Sequence, residues 1–234
     1  MQRLGVGFSQ TEWLSGSSDG VCFVLSSKWA VKTLLGGNIN RAHRFKRDEE
    51  GRAPKKKAEK YIAIQERYVE LAGAKLEKSA AGQSVKAAKP SIAASFDAIY
   101  GAEAELAETW AQAIALKRER GVVLRSSRDS PSLNWWAKAN LRPDTDFALV
   151  YSFYYESSTC CGTKKRSGSH SVAFVLIGGE ARYFDPNAGE FFFITAVDGD
   201  TPLDWLAGVD SEIGRLYVRK GSLEHSVVHY IVAA

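Results

Sequence analysis

The sequence has few cysteines and no long apolar run, and each absence excludes a class of protein. Its three cysteines, Cys22, Cys160 and Cys161, are too few for a disulfide framework, so a reducing compartment is indicated. With four histidines and no Cys-x-x-Cys pair, a structural zinc site is not expected. No apolar run approaches the roughly 18 residues of a membrane helix, and residues 1–10 lack the pattern of a cleavable export signal. Export without such a signal, or as part of a longer chain, is therefore expected if the protein leaves its cell.

The composition is that of a globular protein with one basic segment. Its 234 residues, 45% hydrophobic and 25% charged, suit a single domain over residues 1–234, expected as a monomer. Residues 41–60 carry nine basic and four acidic side chains. Such a segment could meet an anionic membrane surface or an acidic protein, although a solvated connector is the simpler interpretation. Phe45 is the only Phe, Tyr or Trp there, so no nucleic-acid partner is expected.

Helical patterns occupy the first half of the chain. Asp19 is a good N-cap for a helix that runs to about Leu35 and ends at the glycine pair 36–37. Apolar residues spaced by three or four predict two more helices, over residues 58–78 and 92–114. Residues 121–146 are predicted as a long loop with one turn of helix. The helical part is thus expected over residues 19–120.

The apolar period changes to two in the second half, which is typical of strands. Turns at residues 178–179 and 186–189 predict an antiparallel meander, and a short helix is expected to start at residues 201–204 with Pro202 in its first position. Helices grouped before a sheet, which spans about residues 147–234, indicate the α+β class. The predicted strands are residues 147–155, 169–177, 182–184, 190–195 and 225–232.

Cys22 is the first candidate for chemistry. With Asp19 as the cap, it would be the third residue of its helix, where unpaired N–H groups and the helix dipole favour a thiolate. Position alone leaves the alternative that Cys22 is a small core residue.

His170 and Asp185 form the second candidate group. His170 starts an apolar strand, and Asp185 ends the next strand of the same hairpin, so antiparallel pairing should make them neighbours. A carboxylate there can accept the Nδ1 proton of the imidazole, fix its tautomer and stabilise an imidazolium that pairs with a thiolate. Ordinary turn chemistry is the alternative for the Asp-Pro-Asn sequence taken alone.

The remaining cysteines and histidines favour structural roles. Cys160 and Cys161 lie in a predicted loop with no helix start to activate a thiol. His225 and His229 are four residues apart, but their segment alternates like a strand and has no carboxylate suited to complete a metal site.

The three segments DGVCFVLSSKW, SGSHSVAF and YFDPNAGEF resemble those of the YopT/AvrPphB-type papain-like cysteine peptidases, which are bacterial effectors delivered into host cells. The order of the segments, with 148 residues from Cys22 to His170 and 15 from there to Asp185, also fits that family. The resemblance covers about residues 19–193, with residues 38–146 matched only in spacing and helical character. It implies a papain-like fold with the nucleophile at a helix N-terminus packed on an antiparallel sheet.

The resemblance implies that Cys22 is the nucleophile, His170 the general base and acid, and Asp185 the orienting carboxylate, with no cofactor or metal. The oxyanion would be bound by the Cys22 backbone N–H and a second donor. Papain-like enzymes often use a glutamine six residues before the cysteine, a position that Gly16 occupies here. Since this family tends to have a short polar side chain nearby, Ser17 is the candidate donor.

The expected function is that of a cysteine endopeptidase that cuts host proteins in the host cytoplasm through a thioester. Some relatives cut prenylated Rho-family GTPases and others cut kinases, and the motifs do not decide between such targets. Two alternatives stay open: a glutamine deamidase or transglutaminase-like toxin with the same triad, and an inactive binding module that keeps the fold.

Overall fold

A computed structural model gives the arrangement of the helices and strands. None of its described helices has the length and apolar character needed to cross a membrane. The structure describes residues 2–3, 10, 21–36, 59–66, 70, 122–128, 141, 145–158, 165–193, 204–218 and 221–233.

Two helices have well-defined bounds: α1 comprises Cys22–Gly36 and α2 comprises Trp205–Tyr217. Residues 59–66 are also helical, as predicted, whereas most of the predicted helices 58–78 and 92–114 lies outside the described residues. The start of α1 differs from the expectation. The backbone N–H of Leu25 donates to the carbonyl of Val21 at 3.0 Å, which makes Val21 the cap and Cys22 the first residue of the helix instead of the third.

The described strands form one antiparallel sheet of seven strands in the order β1-β6-β5-β4-β3-β7-β2. The consecutive strands β3 to β6 form the predicted meander. The turns at residues 178–179 and 186–188 are where the sequence places them, and Gly178, Gly179 and Gly189 adopt φ values of 56°, 78° and 101° that only glycine accepts easily. The strands are β1 (Gln2–Arg3), β2 (Val122–Arg128), β3 (Phe147–Ser158), β4 (Lys165–Ile177), β5 (Glu180–Asp185), β6 (Gly189–Phe192) and β7 (Gly221–Ala233).

Two sequence expectations about segment limits are wrong. Part of the predicted loop 121–146 is the edge strand β2, which gains its ladder by pairing with β7 over Val122–Arg128; a partner so distant in sequence leaves no local signal. The late helix begins at Trp205 after Asp204, so a proline at residue 202 does not occupy its first position.

Each face of the sheet carries a different helix, and the alternation of side chains along β3 and β4 explains how. Small and aliphatic residues such as Ala148, Val150 and Ala173 point to the side of α1, which we call the α1 face. Larger residues such as Tyr151 and Phe174 point to the side of α2, the α2 face. The small residues allow α1 to pack closely, and the class is α+β with a helix N-terminus packed on an antiparallel sheet, as predicted.

The strand β5 is shorter than its neighbour β4, and this mismatch creates the site. The pairing between the two strands covers Ala173–Ile177 of β4, so the residues of β4 before Ala173 extend past the end of β5. The hydroxyl of Ser26, on α1, donates to the carbonyl of Ser171 at 2.9 Å. The beginning of α1 therefore lies beside the part of β4 that β5 leaves uncovered.

Candidate active site

Cys22 lies at the start of α1 with a reduced, half-buried thiol. As the first residue of the helix, it has a backbone N–H for which no preceding turn of the helix provides a carbonyl acceptor. The residues on either side, Val21 and Phe23, are buried and hold the end of the helix in the core. The thiol is thus fixed by packing and remains reachable.

His170 lies on the part of β4 that extends past β5. Its side chain is 3% exposed, and the ring packs edge-on against Phe153 with centroids 5.8 Å apart. Phe153 is its direct partner on β3, so the strand register brings the two rings together.

Asp185 is the last residue of β5 and is completely buried. Its Oδ1 atom lies 3.0 Å from Nε2 of His170, so the two residues are neighbours as the hairpin predicts. The ring nitrogen differs from the one expected, because Nε2 and not Nδ1 faces the carboxylate. This arrangement leaves Nδ1 as the nitrogen available to Cys22, whose hydrogen bonding and charge contribute to raising the pKa of His170.

The electrostatics of the pair favour charge on both partners. Burial by itself lowers the pKa of His170, but Asp185 and Cys22 outweigh it and raise that pKa to about 10. Burial likewise acts to raise the pKa of Asp185, but the charge and hydrogen bond of His170 dominate and lower it. The backbone N–H of Asn187 adds a hydrogen bond of 2.8 Å to Oδ1 of Asp185. An imidazolium beside a carboxylate is therefore the state that this site stabilises at neutral pH.

Tyr217, the last residue of α2, is part of this site and was not found from the sequence. Its hydroxyl lies 2.9 Å from Nε2 of His170 and from Oδ2 of Asp185, and 3.0 Å from Oδ1. The centroids of the Tyr217 and His170 rings are 4.6 Å apart. The residue lies 32 positions after Asp185 in an amphipathic helix, where a tyrosine is ordinary, so the sequence contains no signal for its role.

Gln10 is a second residue that sequence reasoning missed. Its backbone N–H donates to the carbonyl of Pro186 at 2.7 Å, and its side-chain Nε2 donates to Oδ1 of Asn187 at 2.8 Å. Its Oε1 accepts the backbone N–H of Val21 at 3.0 Å. Gln10 thus connects the start of α1 to the turn that follows Asp185.

Several predicted site residues cannot be compared with this geometry. Ser17 and Asp19 lie outside the described residues, as do Cys160 and Cys161. His225 and His229 both lie on β7, as their alternating segment predicts. Among the described residues no group of three or more His, Cys, Asp or Glu side chains is arranged to hold a metal ion.

Among the comparisons with known proteins, a family model identifies the type of protein. The model of peptidase family C58, described as Yersinia/Haemophilus virulence surface antigen, matches residues 6–198. No curated protein matches the chain in sequence. Among solved structures, the crystal structure of the Pseudomonas avirulence protein AvrPphB is similar with 13% identity, over 95% of this chain and 99% of that chain, at a TM-score of 0.49. The range matched by the family contains Cys22, His170 and Asp185, and it ends before α2.

Proposed function

The chain belongs to the Yersinia/Haemophilus virulence surface antigen family of cysteine peptidases, and we propose that Cys22, His170 and Asp185 are its catalytic triad. The family is one of bacterial effector proteases, so the general activity is cleavage of protein. The observation that carries the assignment to these residues is the chain of contacts from the Cys22 thiol through His170 to the buried Asp185, 3.0 Å from Nε2.

In the first half of the reaction, the Cys22 thiolate attacks the carbonyl carbon of the scissile amide. A C–S bond forms, and the carbonyl oxygen takes up the negative charge. His170, as imidazolium, then gives a proton to the leaving nitrogen while the C–N bond breaks, which leaves a thioester on Cys22. The raised pKa of His170, about 10, supports this step because the ring holds its proton until an amine leaves.

In the second half, neutral His170 takes a proton from water, which attacks the thioester. The C–S bond breaks, the acid product leaves, and the thiolate and imidazolium return. Asp185 stays ionised throughout and keeps Nε2 protonated, so that the lone pair of the neutral ring is on Nδ1, facing Cys22.

The oxyanion needs donors that point at the carbonyl oxygen when it becomes charged. The backbone N–H of Cys22 suits this role, since a residue at the first position of a helix has no partner within the helix. Ser17 remains our proposal for the second donor. Gln10, which binds the N–H of Val21, would hold the backbone on which the first donor depends.

The substrate is proposed to be a host protein, cut after delivery of the enzyme into the host cytoplasm. The basic segment 41–60 favours an acidic partner or an anionic membrane surface over a strongly basic target. No cofactor is required for the chemistry described.

The test compares wild type with Cys22→Ala, and with Cys160→Ala as a matched loss of another thiol. Each protein is incubated with lysate of host cells, and new protein N-termini are labelled and identified by mass spectrometry. We expect new termini with wild type and with Cys160→Ala, and none with Cys22→Ala. Cleavage that survives in Cys22→Ala would refute the assignment. A Cys22-dependent mass gain of about one dalton at glutamine residues, without new termini, would show a deamidase acting through the same thioester.

A further inference from the structure

The hydroxyl of Tyr217 lies within hydrogen-bond distance of three polar atoms of the His170–Asp185 pair. Resting on the function proposed above, we propose that Tyr217 is a positioning residue of this active site: its hydroxyl orients the carboxylate of Asp185 and its ring covers the pair. Since α2 lies beyond the range that matches the family, the family match assigns nothing to this residue.

The carboxylate of Asp185 is the acceptor for the hydroxyl proton of Tyr217. Burial, followed by the charge of Asp185, raises the pKa of Tyr217, so the phenol keeps its single hydrogen. The ionised carboxylate can only accept, and its Oδ2 and Oδ1 atoms lie 2.9 and 3.0 Å away. Since Oδ1 already receives hydrogen bonds from His170 and Asn187, we assign the donation of the hydroxyl to Oδ2. Its lone pairs then face Nε2–H of His170 and the side-chain amide of Asn187, which donates at 3.2 Å.

This direction of hydrogen bonding fixes the histidine as the reaction requires. A hydroxyl that offers lone pairs to Nε2 favours a proton on Nε2, as Asp185 does. Both contacts therefore leave the lone pair of the neutral ring on Nδ1, the side of Cys22.

Tyr217 is also the main donor to the second carboxylate oxygen. Oδ1 of Asp185 receives hydrogen bonds from His170 and from the backbone of Asn187. Among the described residues, Oδ2 has only Tyr217 at 2.9 Å and a long contact of 3.4 Å from Tyr183. Without the Tyr217 hydroxyl, a buried carboxylate oxygen loses its one short hydrogen bond, and such a loss inside a protein is costly.

The ring of Tyr217 is held in place by aromatic neighbours. Its centroid lies 5.5 Å from those of Phe153 and Tyr155, and 4.6 Å from that of His170. Tyr217 itself is half-buried while His170 and Asp185 are buried, so the ring lies between the pair and solvent. A dry environment strengthens the hydrogen bond beneath it.

The test uses three variants. Tyr217→Phe removes the hydroxyl and keeps the ring that covers the His170–Asp185 pair, and Tyr217→Ala removes both. Tyr230→Phe is the matched control for loss of a phenol hydroxyl. Tyr230 lies opposite Leu149, which is four residues along β3 from Phe153, so Tyr230 is about 13 Å along the sheet from Phe153.

The pH dependence of these variants involves the titratable groups near Asp185. Among the described residues these are His170 of β4, with Cys22 of α1 beyond it, Tyr183 of β5, with Glu212 of α2 near it, and Tyr217.

For Tyr217→Phe we expect kcat to fall about tenfold with KM unchanged, because a charge-assisted hydrogen bond is lost without a substrate contact. The acid limb of the kcat/KM profile should move to higher pH, since Asp185 takes up a proton more readily when Oδ2 lacks its donor. Tyr230→Phe should retain wild-type kinetics. Unchanged kcat and an unchanged acid limb in Tyr217→Phe would overturn the proposal.

A second readout does not depend on protease activity. The Nε2 proton of His170 is observed by NMR in protein labelled with ¹⁵N-histidine and identified by its loss in His170→Gln. We expect a protected signal in wild type, a shifted signal in Tyr217→Phe, and loss by exchange with water in Tyr217→Ala. An identical signal in all three proteins would refute the positioning role, whether or not a substrate has been found. A changed signal in a protein that cleaves nothing would instead refute the proposed function and keep the role of Tyr217.

Discussion

The two faces of the sheet hold their functional groups by different means. On the α1 face, Cys22 is fixed by the packing of a helix against small and aliphatic residues. On the α2 face, His170 and Asp185 are fixed by hydrogen bonds that involve a phenol from α2. A thiol can be positioned by apolar contacts around its helix, whereas a buried charged pair needs a hydrogen-bond partner for each of its polar atoms. Apart from Cys22 itself, changes on the α1 face should therefore alter mainly stability, and changes on the α2 face mainly rate.

Two of the buried histidines in the described part of the chain, His170 and His229, test this comparison with the largest expected effect. His170→Gln should lower kcat by at least about 10³-fold, because no other group can exchange the proton. His229, also fully buried, packs against Phe23 of α1 with ring centroids 5.6 Å apart. His229→Gln should lower the free energy of unfolding by about 1–3 kcal/mol and leave kcat nearly unchanged. Single-turnover rates and urea unfolding measure the two quantities; a loss of rate in both variants, or in neither, would contradict the comparison.

Asp185 and Glu190, the buried carboxylates of the described residues, give the next largest effect. Asp185→Asn should lower kcat by about 10²- to 10⁴-fold through loss of histidine orientation. With the charge of Asp185 removed, the largest of the effects that raise the pKa of His170 is lost, and this pKa falls from about 10. The imidazolium is then lost at lower pH, so the alkaline limb of the residual activity should move toward neutral pH. A pH profile of kcat/KM checks this, and an alkaline limb that stays in place would remove Asp185 from its role.

Glu190 is the matched carboxylate on the α1 face, as it lies opposite Phe184, whose ring stacks on Trp29 of α1. Burial raises the pKa of Glu190 to about 7, although the charge of Arg182 opposes this. Between pH 4.5 and 7 the native state holds this proton more tightly than the unfolded state, so wild-type stability should fall as pH rises. Glu190→Gln should make the free energy of unfolding depend less on pH over this range, without slowing catalysis. Unfolding curves at several pH values measure this, and an unchanged pH dependence in Glu190→Gln would contradict the prediction.

Two neighbouring serines of α1 give the smallest effect. Ser26→Ala removes the hydrogen bond to the Ser171 carbonyl and should cost about 1 kcal/mol of unfolding free energy. Ser27 is equally buried, but its hydroxyl has no hydrogen-bond partner within the described part of the chain. Ser27→Ala should therefore be neutral or slightly stabilising. Thermal unfolding of both variants measures these changes. Equal losses of stability would mean that the hydrogen bond from Ser26 to β4 adds no stability.

Much of the fold could be predicted because its signals are local. Alternating apolar residues and paired glycines define β3 to β6 within a few residues. The proximity of His170 and Asp185 follows from the same hairpin, since antiparallel pairing fixes distances between residues close in sequence. The edge strand β2 could not be found in this way, because its partner β7 lies about a hundred residues later and pairing of that kind depends on the whole sheet.

The parts of the site that were missed depend on contacts between distant segments. Tyr217 reaches Asp185 from another helix, and Gln10 reaches Asn187 across 177 residues. Neither residue has a distinctive local pattern. The choice of Nε2 over Nδ1 depends on the angle at which the His170 ring leaves β4, which spacing alone does not determine.

The position of β7 between β3 and β2 has a consequence for folding kinetics. β7 is the last of the described strands to be synthesised, yet β2 reaches the sheet only through it. Closing such distant contacts is slow, because loop entropy is lost before the strands pair. Until residues 221–233 emerge from the ribosome, the nascent chain has β2 unattached and the outer edge of β3 open. The protein should therefore become active only after the whole sheet has formed.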